Sequence, residues 1–238
     1  MPQANNIRVV CATRESEAGF HANSALGRSL ALMPCKGIEL RLFPNNSDGL
    51  PKCYNTAISE AAADPATLVF VHDDVYLSDF YWDIRTLKGL EMFQVLGIVG
   101  NIRRLPRQPI WAYARLEDPT WDLGNLSGTC GSGYGFPCTT LNFFGTPGVA
   151  VKLLDGLFLA AHSSTLLSNG LVFDPRFDFH FYDMDFCRSA EAKGISMGTY
   201  PISLVHESGG IFNDAWRAAY DKYLEKWGCS CGTFVTFE

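Results

Sequence analysis

The first third of the chain alternates short apolar runs with longer amphipathic segments. Strands are predicted at residues 7–13, where β-branched residues cluster, at 38–43, where apolar and polar positions alternate, and at 67–72, which are almost wholly apolar. Helix patterns over residues 16–33 and 51–62 separate them. This order predicts an α/β fold with a doubly wound, mostly parallel sheet flanked by helices.

The pattern changes character beyond residue 100. Residues 101–148 are rich in Gly, Pro and aromatic residues and show little periodicity, so we expect a long functional loop there. Strand patterns return over residues 149–162, and a helix is expected to begin near Asp183. The last helix carries an aromatic stripe typical of core packing, formed by Trp216, Tyr220, Tyr223 and Trp227. No repeat or linker is visible, so we expect a single domain over residues 1–238.

Composition narrows the range of functions. Hydrophobic residues make up 47% of the 238 residues and the net charge is −6, which fits a globular chain and disfavours a nucleic-acid partner. No apolar run reaches the roughly 20 residues of a membrane span, and the N-terminus lacks a signal-peptide pattern. The eight cysteines include no CxxC pair, which argues against a zinc ribbon or a thioredoxin-type motif. Because a secretion signal is missing, we expect reduced thiols and a cytoplasmic location.

Three polar residues follow the most apolar predicted strand: His72, Asp73 and Asp74. Ligands of open α/β sheets bind at the edge where parallel strands end. Adjacent carboxylates are costly to bury there unless a cation joins them, and carboxylate oxygens suit Mg²⁺ and Mn²⁺. The pattern therefore predicts a divalent-metal site. A solvated turn, with Asp73 acting as a cap, is the alternative.

Two further clusters are candidates for chemistry. Asp183 lies among aromatic residues at a predicted helix start, where it is either a general base or a helix cap; for Asp185 we favour the cap. His206 ends a predicted strand and precedes Gly209 and Gly210, which let a backbone approach a ligand. It is therefore either a ligand to metal or phosphate, or a satisfied core histidine.

Taken together, these motifs resemble a known family over roughly residues 5–210. The segments that carry the likeness are ATRE after the first strand, NNSDGLPKCYNTAISEAA, VFVHDDVYL, DGLFLAAHSSTL with FDPRFDFHFYDMDFCRSAEAKG, and VHESGG. Their order resembles that of the GT-A fold glycosyltransferases, of the inverting family 2-like group. Within that group it resembles the small glycosyltransferase-like branch that includes the StrF-type domains.

The resemblance implies roles for individual residues. Asp74 matches the last acid of the family's metal motif, and His72 stands where an Asp is usual. A neutral imidazole adds no negative charge, so two expectations stay open: a metal bound more weakly than usual, and no metal. Asp183 matches the catalytic base, with Tyr182 in place of the more common Glu before it. His206 matches a late ligand to metal or diphosphate.

The resemblance also implies how the domain is divided and where the donor binds. Residues 1–100 are expected to form the nucleotide-sugar half and residues 101–238 the acceptor half, with the loop at 101–148 closing over substrate. Arg188 matches a helix arginine expected to partner the acidic segment. Because they follow the first three strands or open the next helix, the expected donor-binding residues are Thr13, Arg14, Glu15, Asn45, Asn55 and Asp73.

The function implied by the resemblance is sugar transfer from a nucleoside-diphosphate donor to the hydroxyl or amine of a small-molecule or glycan acceptor. Inversion at the anomeric carbon and a divalent cofactor, Mn²⁺ or Mg²⁺, are part of that expectation. One alternative is a non-catalytic GT-A-like protein that binds nucleotide sugars or acts as a scaffold. A nucleotidyltransferase is a second alternative, and the glycine-free turn at 12–15 counts against it.

Overall fold

In the computed structural model, the described residues are 6–33, 37–117, 119–210 and 212–228. Their strands are β1 (Ile7–Ala12), β2 (Ile38–Phe43), β3 (Thr67–Val71), β4 (Val75–Leu77), β5 (Val95–Gly97), β6 (Val99–Asn101), β7 (Leu126–Ser132), β8 (Thr140–Gly145), β9 (Leu153–Leu154), β10 (Phe158–His162), β11 (Met197–Thr199) and β12 (Leu204–His206). Their helices are α1 (Glu17–Asn23), α2 (Ala25–Leu32), α3 (Leu50–Glu60), α4 (Trp82–Leu90), α5 (Ser163–Ser168), α6 (Tyr182–Ala192) and α7 (Asp214–Trp227).

The larger sheet has the strand order β11-β5-β10-β3-β1-β2. Strands β2, β1 and β3 are parallel, as are β5 and β11, whereas β10 runs antiparallel to both β3 and β5. Every residue of β1, β3 and β10 is buried, as expected for strands covered on both faces. The prediction of an α/β fold with a mostly parallel sheet flanked by helices is confirmed.

A second sheet, which the sequence did not reveal, has the order β4-β12-β7-β6-β9, with β8 paired to β7. It is mostly antiparallel; only β12 and β7 run parallel. Strands β5 and β6 follow each other with only Ile98 between them, so the chain passes directly from one sheet to the other. This second sheet carries β12 to the edge where β3 ends.

The prediction of a loop throughout residues 101–148 is wrong, because β7 and β8 form an antiparallel pair inside it. The strand β7 has the sequence LSGTCGS, which shows no alternation of apolar and polar positions. Its glycines permit close packing: at Gly128, with φ of 103°, a Cβ atom would lie 2.0 Å from the carbonyl oxygen of Ile98. Where glycines allow two backbones to approach closely, a strand lacks the alternation of apolar and polar side chains by which strands are predicted.

The helices and cysteines bear on the expectations about membrane spans and reduced thiols. Among the described helices, none combines the length and the apolar character of a membrane span. The described cysteines carry free thiols: Cys11, Cys53, Cys130, Cys138 and Cys187. Cys35, Cys229 and Cys231 lie outside the described residues.

Candidate functional site

The parallel registers of β1, β2 and β3 bring their carboxyl ends to one edge of the sheet. There the Thr13 hydroxyl donates a hydrogen bond of 2.6 Å to Asp73 Oδ2. The backbone N–H of Asn46 donates to the carbonyl oxygen of Thr13 at 2.8 Å, and that of Asn45 donates to Glu15 at 2.8 Å. The turns after the first three strands are thus in direct contact.

The side chains expected to bind a donor do not all lie in one place. Arg14, Glu15 and Asn45 are exposed at this edge, whereas Thr13 is buried. Asn55 Nδ2 donates to the carbonyl oxygen of Phe173 at 2.7 Å, and Asn55 Oδ1 accepts from the backbone N–H of Phe173 at 2.9 Å. Both ends of that amide are engaged in holding α3 against the chain that precedes α6.

His72, Asp74 and His206 form a cluster at the end of β3. The antiparallel pairing of β12 with β4 places His206 opposite Val75, one residue beyond Asp74. His206 Nε2 lies 3.3 Å and His72 Nδ1 lies 3.9 Å from the same atom, Asp74 Oδ1. One ligand atom from each residue falls within 4.8 Å of the others.

The Asp74 carboxylate is held by unequal contacts. Its Oδ2 atom accepts a hydrogen bond of 2.5 Å from the Ser208 hydroxyl. Its Oδ1 atom is buried and makes no well-formed hydrogen bond with any described residue. Burial opposes ionisation, but contact with His206, the charges of both histidines and Ser208 hold the pKa of Asp74 well below its usual value. The carboxylate is therefore ionised, with one oxygen facing two imidazole rings.

The pKa values of the two histidines are shifted in opposite directions. Burial lowers the pKa of His72, more than the nearby carboxylates raise it. Burial also acts against the charged form of His206, but contact with Asp74 outweighs it and raises the pKa of His206. His72 is thus the more readily neutral of the two rings, which is the form in which an imidazole binds a metal.

Tyr182 joins the cluster to the start of α6. Its hydroxyl donates to the carbonyl oxygen of Gly156 at 2.9 Å and lies 2.6 Å from His72 Nε2. The preceding residue, Phe181, takes a left-handed conformation with φ of 66° and ends the incoming chain, so that α6 begins with Tyr182 pointing inward. The exposed ring of Phe179 stacks against His72 at 5.7 Å between centroids.

Asp183 follows on the same turn. Its Oδ2 accepts from the N–H of Gly156 at 3.0 Å, and its Oδ1 accepts from the N–H of Met184 at 2.8 Å. Burial, with the charge of Asp155 as a second cause, raises the pKa of Asp183 to about 7. Gly156 thus contacts both Asp183 and Tyr182, and Tyr182 in turn contacts His72.

Sequence reasoning missed Asp155, which lies within the strand pattern predicted over residues 149–162. Its Oδ1 accepts from the N–H of Leu157 at 2.9 Å, and its Oδ2 accepts from Trp111 Nε1 at 2.5 Å. It acts electrostatically on both histidines and on Asp183. An acidic residue at the end of an apolar strand was the available signal, and the neighbouring glycine hid it.

Asp185 and Arg188 contact residues of α7 and do not have the roles expected from sequence. Asp185 is fully buried and pairs with Lys226 at 2.7 Å, which is a structural role but not the expected helix cap. The guanidinium of Arg188 lies 4.5 Å from the ring centroid of Trp227 and 5.6 Å from that of Tyr223. Arg188 therefore packs on the aromatic face of α7, and the expectation that it partners the acidic residues is not met by any contact described.

The cluster fits a divalent metal ion. Two imidazole nitrogens and one carboxylate oxygen converge on one point, and a buried anionic oxygen there lacks a hydrogen-bond partner among the described residues. Imidazole and carboxylate ligands together suit first-row divalent ions such as Mn²⁺. His72, Asp74 and His206 are thus the residues that would hold it.

The chain is similar to solved structures but not to any known family at the level of sequence. No protein-family profile matches the chain, and no curated protein matches its sequence. Among solved structures, residues 1–349 of TarS from S. aureus match at 14% identity and a TM-score of 0.49, covering 85% of this chain and 60% of that one. A mannosyltransferase from Pyrobaculum calidifontis, solved with GDP-Man and Mn²⁺, matches at 13% identity and a TM-score of 0.47, covering 92% and 61%.

A third solved structure, A197 from STIV, matches at 11% identity and a TM-score of 0.45, covering 87% of this chain and 97% of that one. This chain spans about 60% of the TarS fragment and 61% of the mannosyltransferase. Likeness at this level carries no argument about function, so the function is argued from the site itself.

Proposed function

We propose that the protein is a glycosyltransferase. It transfers a sugar from a nucleoside-diphosphate donor to a hydroxyl or amine of a small-molecule or glycan acceptor, with inversion at the anomeric carbon. The observation that carries this proposal is the pairing of two groups at one sheet edge: a metal-fitting cluster at His72, Asp74 and His206, and a carboxyl group at Asp183 whose pKa is near neutral. Tyr182 and Gly156 connect the two.

The donor side is assigned to the turns after β1, β2 and β3. Thr13 and Asp73 are bonded to each other there, and Arg14 is exposed beside them to meet phosphate oxygens. His72, Asp74 and His206 would hold a divalent ion, which would supply positive charge to stabilise the departing diphosphate. Residues 1–100 then form the donor half and residues 101–238 the acceptor half, with β10 shared at the centre of the sheet.

The acceptor side is assigned to Asp183. With a pKa of about 7, a substantial fraction of its carboxyl groups is ionised at neutral pH and able to take a proton. The N–H groups of Gly156 and Met184 fix its two oxygens, and each oxygen keeps a second lone pair. The acceptor atom forms its bond to the anomeric carbon, the bond from that carbon to the phosphate oxygen breaks, and the acceptor proton passes to Asp183.

The decisive experiment combines binding and turnover. We expect a nucleoside diphosphate to raise the melting temperature more with Mn²⁺ than without it, because a ligand that binds the native state stabilises it. We expect slow donor hydrolysis by the unmodified protein and loss of about 10²–10⁴-fold in Asp183→Asn, with donor binding retained. Binding without any hydrolysis or transfer would instead indicate the non-catalytic nucleotide-sugar-binding protein.

A further inference from the structure

The hydroxyl group of Tyr182 has a single proton, and its neighbours are Gly156, His72 and the side chain of Tyr54. Gly156 offers a carbonyl oxygen at 2.9 Å, which only accepts, and His72 offers its Nε2 atom at 2.6 Å. The contact with Gly156 therefore uses the tyrosine proton. The contact with His72 is a hydrogen bond only if Nε2 carries a proton and donates it to the tyrosine oxygen.

In a neutral imidazole with its proton on Nε2, the other nitrogen of His72, Nδ1, carries no hydrogen. Nδ1 lies 3.9 Å from Asp74 Oδ1, which is too long for a hydrogen bond, and Asp74 Oδ1 has no other such partner among the described residues. With Nδ1 protonated and Nε2 bare, the single tyrosine proton serves either Nε2 or the Gly156 carbonyl oxygen, and the other close contact lacks a hydrogen. Both close contacts of Tyr182 are satisfied in one tautomer of a neutral His72.

We propose that Tyr182 is a positioning residue that holds His72 in its Nε2–H form, so that the Nδ1 lone pair faces Asp74 and is ready to bind a divalent metal ion. This inference rests on the proposed function and deepens it. Metal-bound histidines commonly donate their second nitrogen to a neighbouring acceptor, which fixes ring orientation and tautomer. Here the acceptor is a tyrosine oxygen whose own proton is committed elsewhere.

The surroundings keep the hydroxyl group in place. Tyr182 is 2% exposed, and its ring packs against Tyr54 and Phe173. A Cβ atom on Gly156 would lie 2.2 Å from the tyrosine oxygen, so only a glycine leaves room for it at this point. His72 is held from the other side by the ring of Phe179.

The test uses Tyr182→Phe, with Tyr220→Phe as a matched control. The Tyr220 hydroxyl also donates to a backbone carbonyl, that of Arg107 at 2.6 Å, but it lies on α7. Nitrogen chemical shifts of His72 in ¹⁵N-labelled protein at pH 8 report the tautomer, and calorimetry with Mn²⁺ alone reports affinity. We expect the Nε2–H form in the unmodified protein and in Tyr220→Phe, with equal Mn²⁺ affinities.

In Tyr182→Phe, Nε2 loses its acceptor and Nδ1–H becomes favoured beside the Asp74 carboxylate. We expect a shift toward that tautomer and a loss of about 10- to 100-fold in Mn²⁺ affinity. An Nδ1–H tautomer in the unmodified protein, or equal affinities in Tyr182→Phe and the control, would overturn the inference alone. No Mn²⁺ binding by the unmodified protein would remove the metal from the proposed function, and this inference with it.

Discussion

The carboxyl group of Asp183 makes folding depend on pH in an unusual direction. Its pKa is about 7 in the folded protein, because of burial and the charge of Asp155, against a usual value of 3.8. Between these values the folded state binds a proton that the unfolded state has lost. This group's contribution to stability is therefore favourable at low pH and is lost as pH rises through 7.

We predict that Asp183→Asn removes this loss of stability with rising pH. The free energy of unfolding of the variant minus that of the unmodified protein should be roughly 2–3 kcal/mol larger at pH 8 than at pH 5. Urea unfolding of both proteins at the two pH values measures the difference. Asp178→Asn is the control, since Asp178 is exposed in the same segment. An unchanged difference between pH 5 and pH 8 would show that Asp183 titrates normally.

The neighbouring acids Asp73 and Asp74 should differ in their effect on metal-dependent binding. Asp74 presents a buried anionic oxygen to both histidines, whereas Asp73 accepts a hydrogen bond from Thr13 that an amide oxygen also accepts. We predict that Asp74→Asn lowers Mn²⁺-dependent affinity for a nucleoside diphosphate at least tenfold (about 1.4 kcal/mol), and Asp73→Asn less. Calorimetry with and without Mn²⁺ separates them; equal losses would contradict the assignment.

At the scale of elements, one cation fastens α7 to the segment that carries the acidic residues. Lys226 Nζ lies 2.7 Å from Asp174 Oδ2 and 2.7 Å from Asp185 Oδ1, and Trp227 Nε1 donates to Asp185 at 2.7 Å. Asp185 is fully buried, so removing its cation leaves a charge without compensation.

We predict that Lys226→Met destabilises the fold by about 3 kcal/mol, because one partner of a buried pair is lost. Lys222→Met, on the exposed face of the same helix, should change stability by less than about 0.5 kcal/mol. Chemical unfolding of the two variants gives the comparison. A small effect at Lys226 would mean that Asp185 is protonated in the folded protein, consistent with the burial that raises its pKa.

The strands that were predicted correctly from sequence are those whose apolar side chains follow a recognisable spacing along the chain. The strand β2 was predicted to the residue, and β1 and β3 to within one, because their apolar residues face covered surfaces. The strand β7 was missed because its glycines serve backbone approach. The antiparallel direction of β10 was not predictable either, since a fully apolar strand reads the same in both directions.

In the candidate site, too, local sequence patterns identify single residues but not which of them lie close together. Asp74 was identified because it follows an apolar strand, Asp183 because it lies at a helix start among aromatic residues, and His206 because it ends a strand. The proximity of His206 to Asp74 depends on the pairing of β12 with β4 in a second sheet, which no local pattern encodes. The link through Tyr182 depends on the left-handed backbone at Phe181, a conformation that a phenylalanine does not suggest.

For the whole molecule, the nature of the ligands predicts which metal stabilises it. Two imidazole nitrogens and one carboxylate form a softer set than carboxylates alone, and Mg²⁺ prefers oxygen ligands. We predict that Mn²⁺ raises the melting temperature at concentrations where Mg²⁺ has no effect, and that His206→Gln reduces the rise. Thermal unfolding across a metal titration measures this; equal responses to the two ions would contradict the assigned ligands.

The position of β10 at the centre of the larger sheet has a consequence for how the chain is made. β3 is synthesised long before β10, which later fills the gap between β3 and β5. Until then, an apolar strand leaves the ribosome with one side unpaired, the state in which chains associate edge to edge. Pairing across such a sequence separation also slows folding. We therefore expect the nascent chain to be most prone to association in the interval between the synthesis of the two strands.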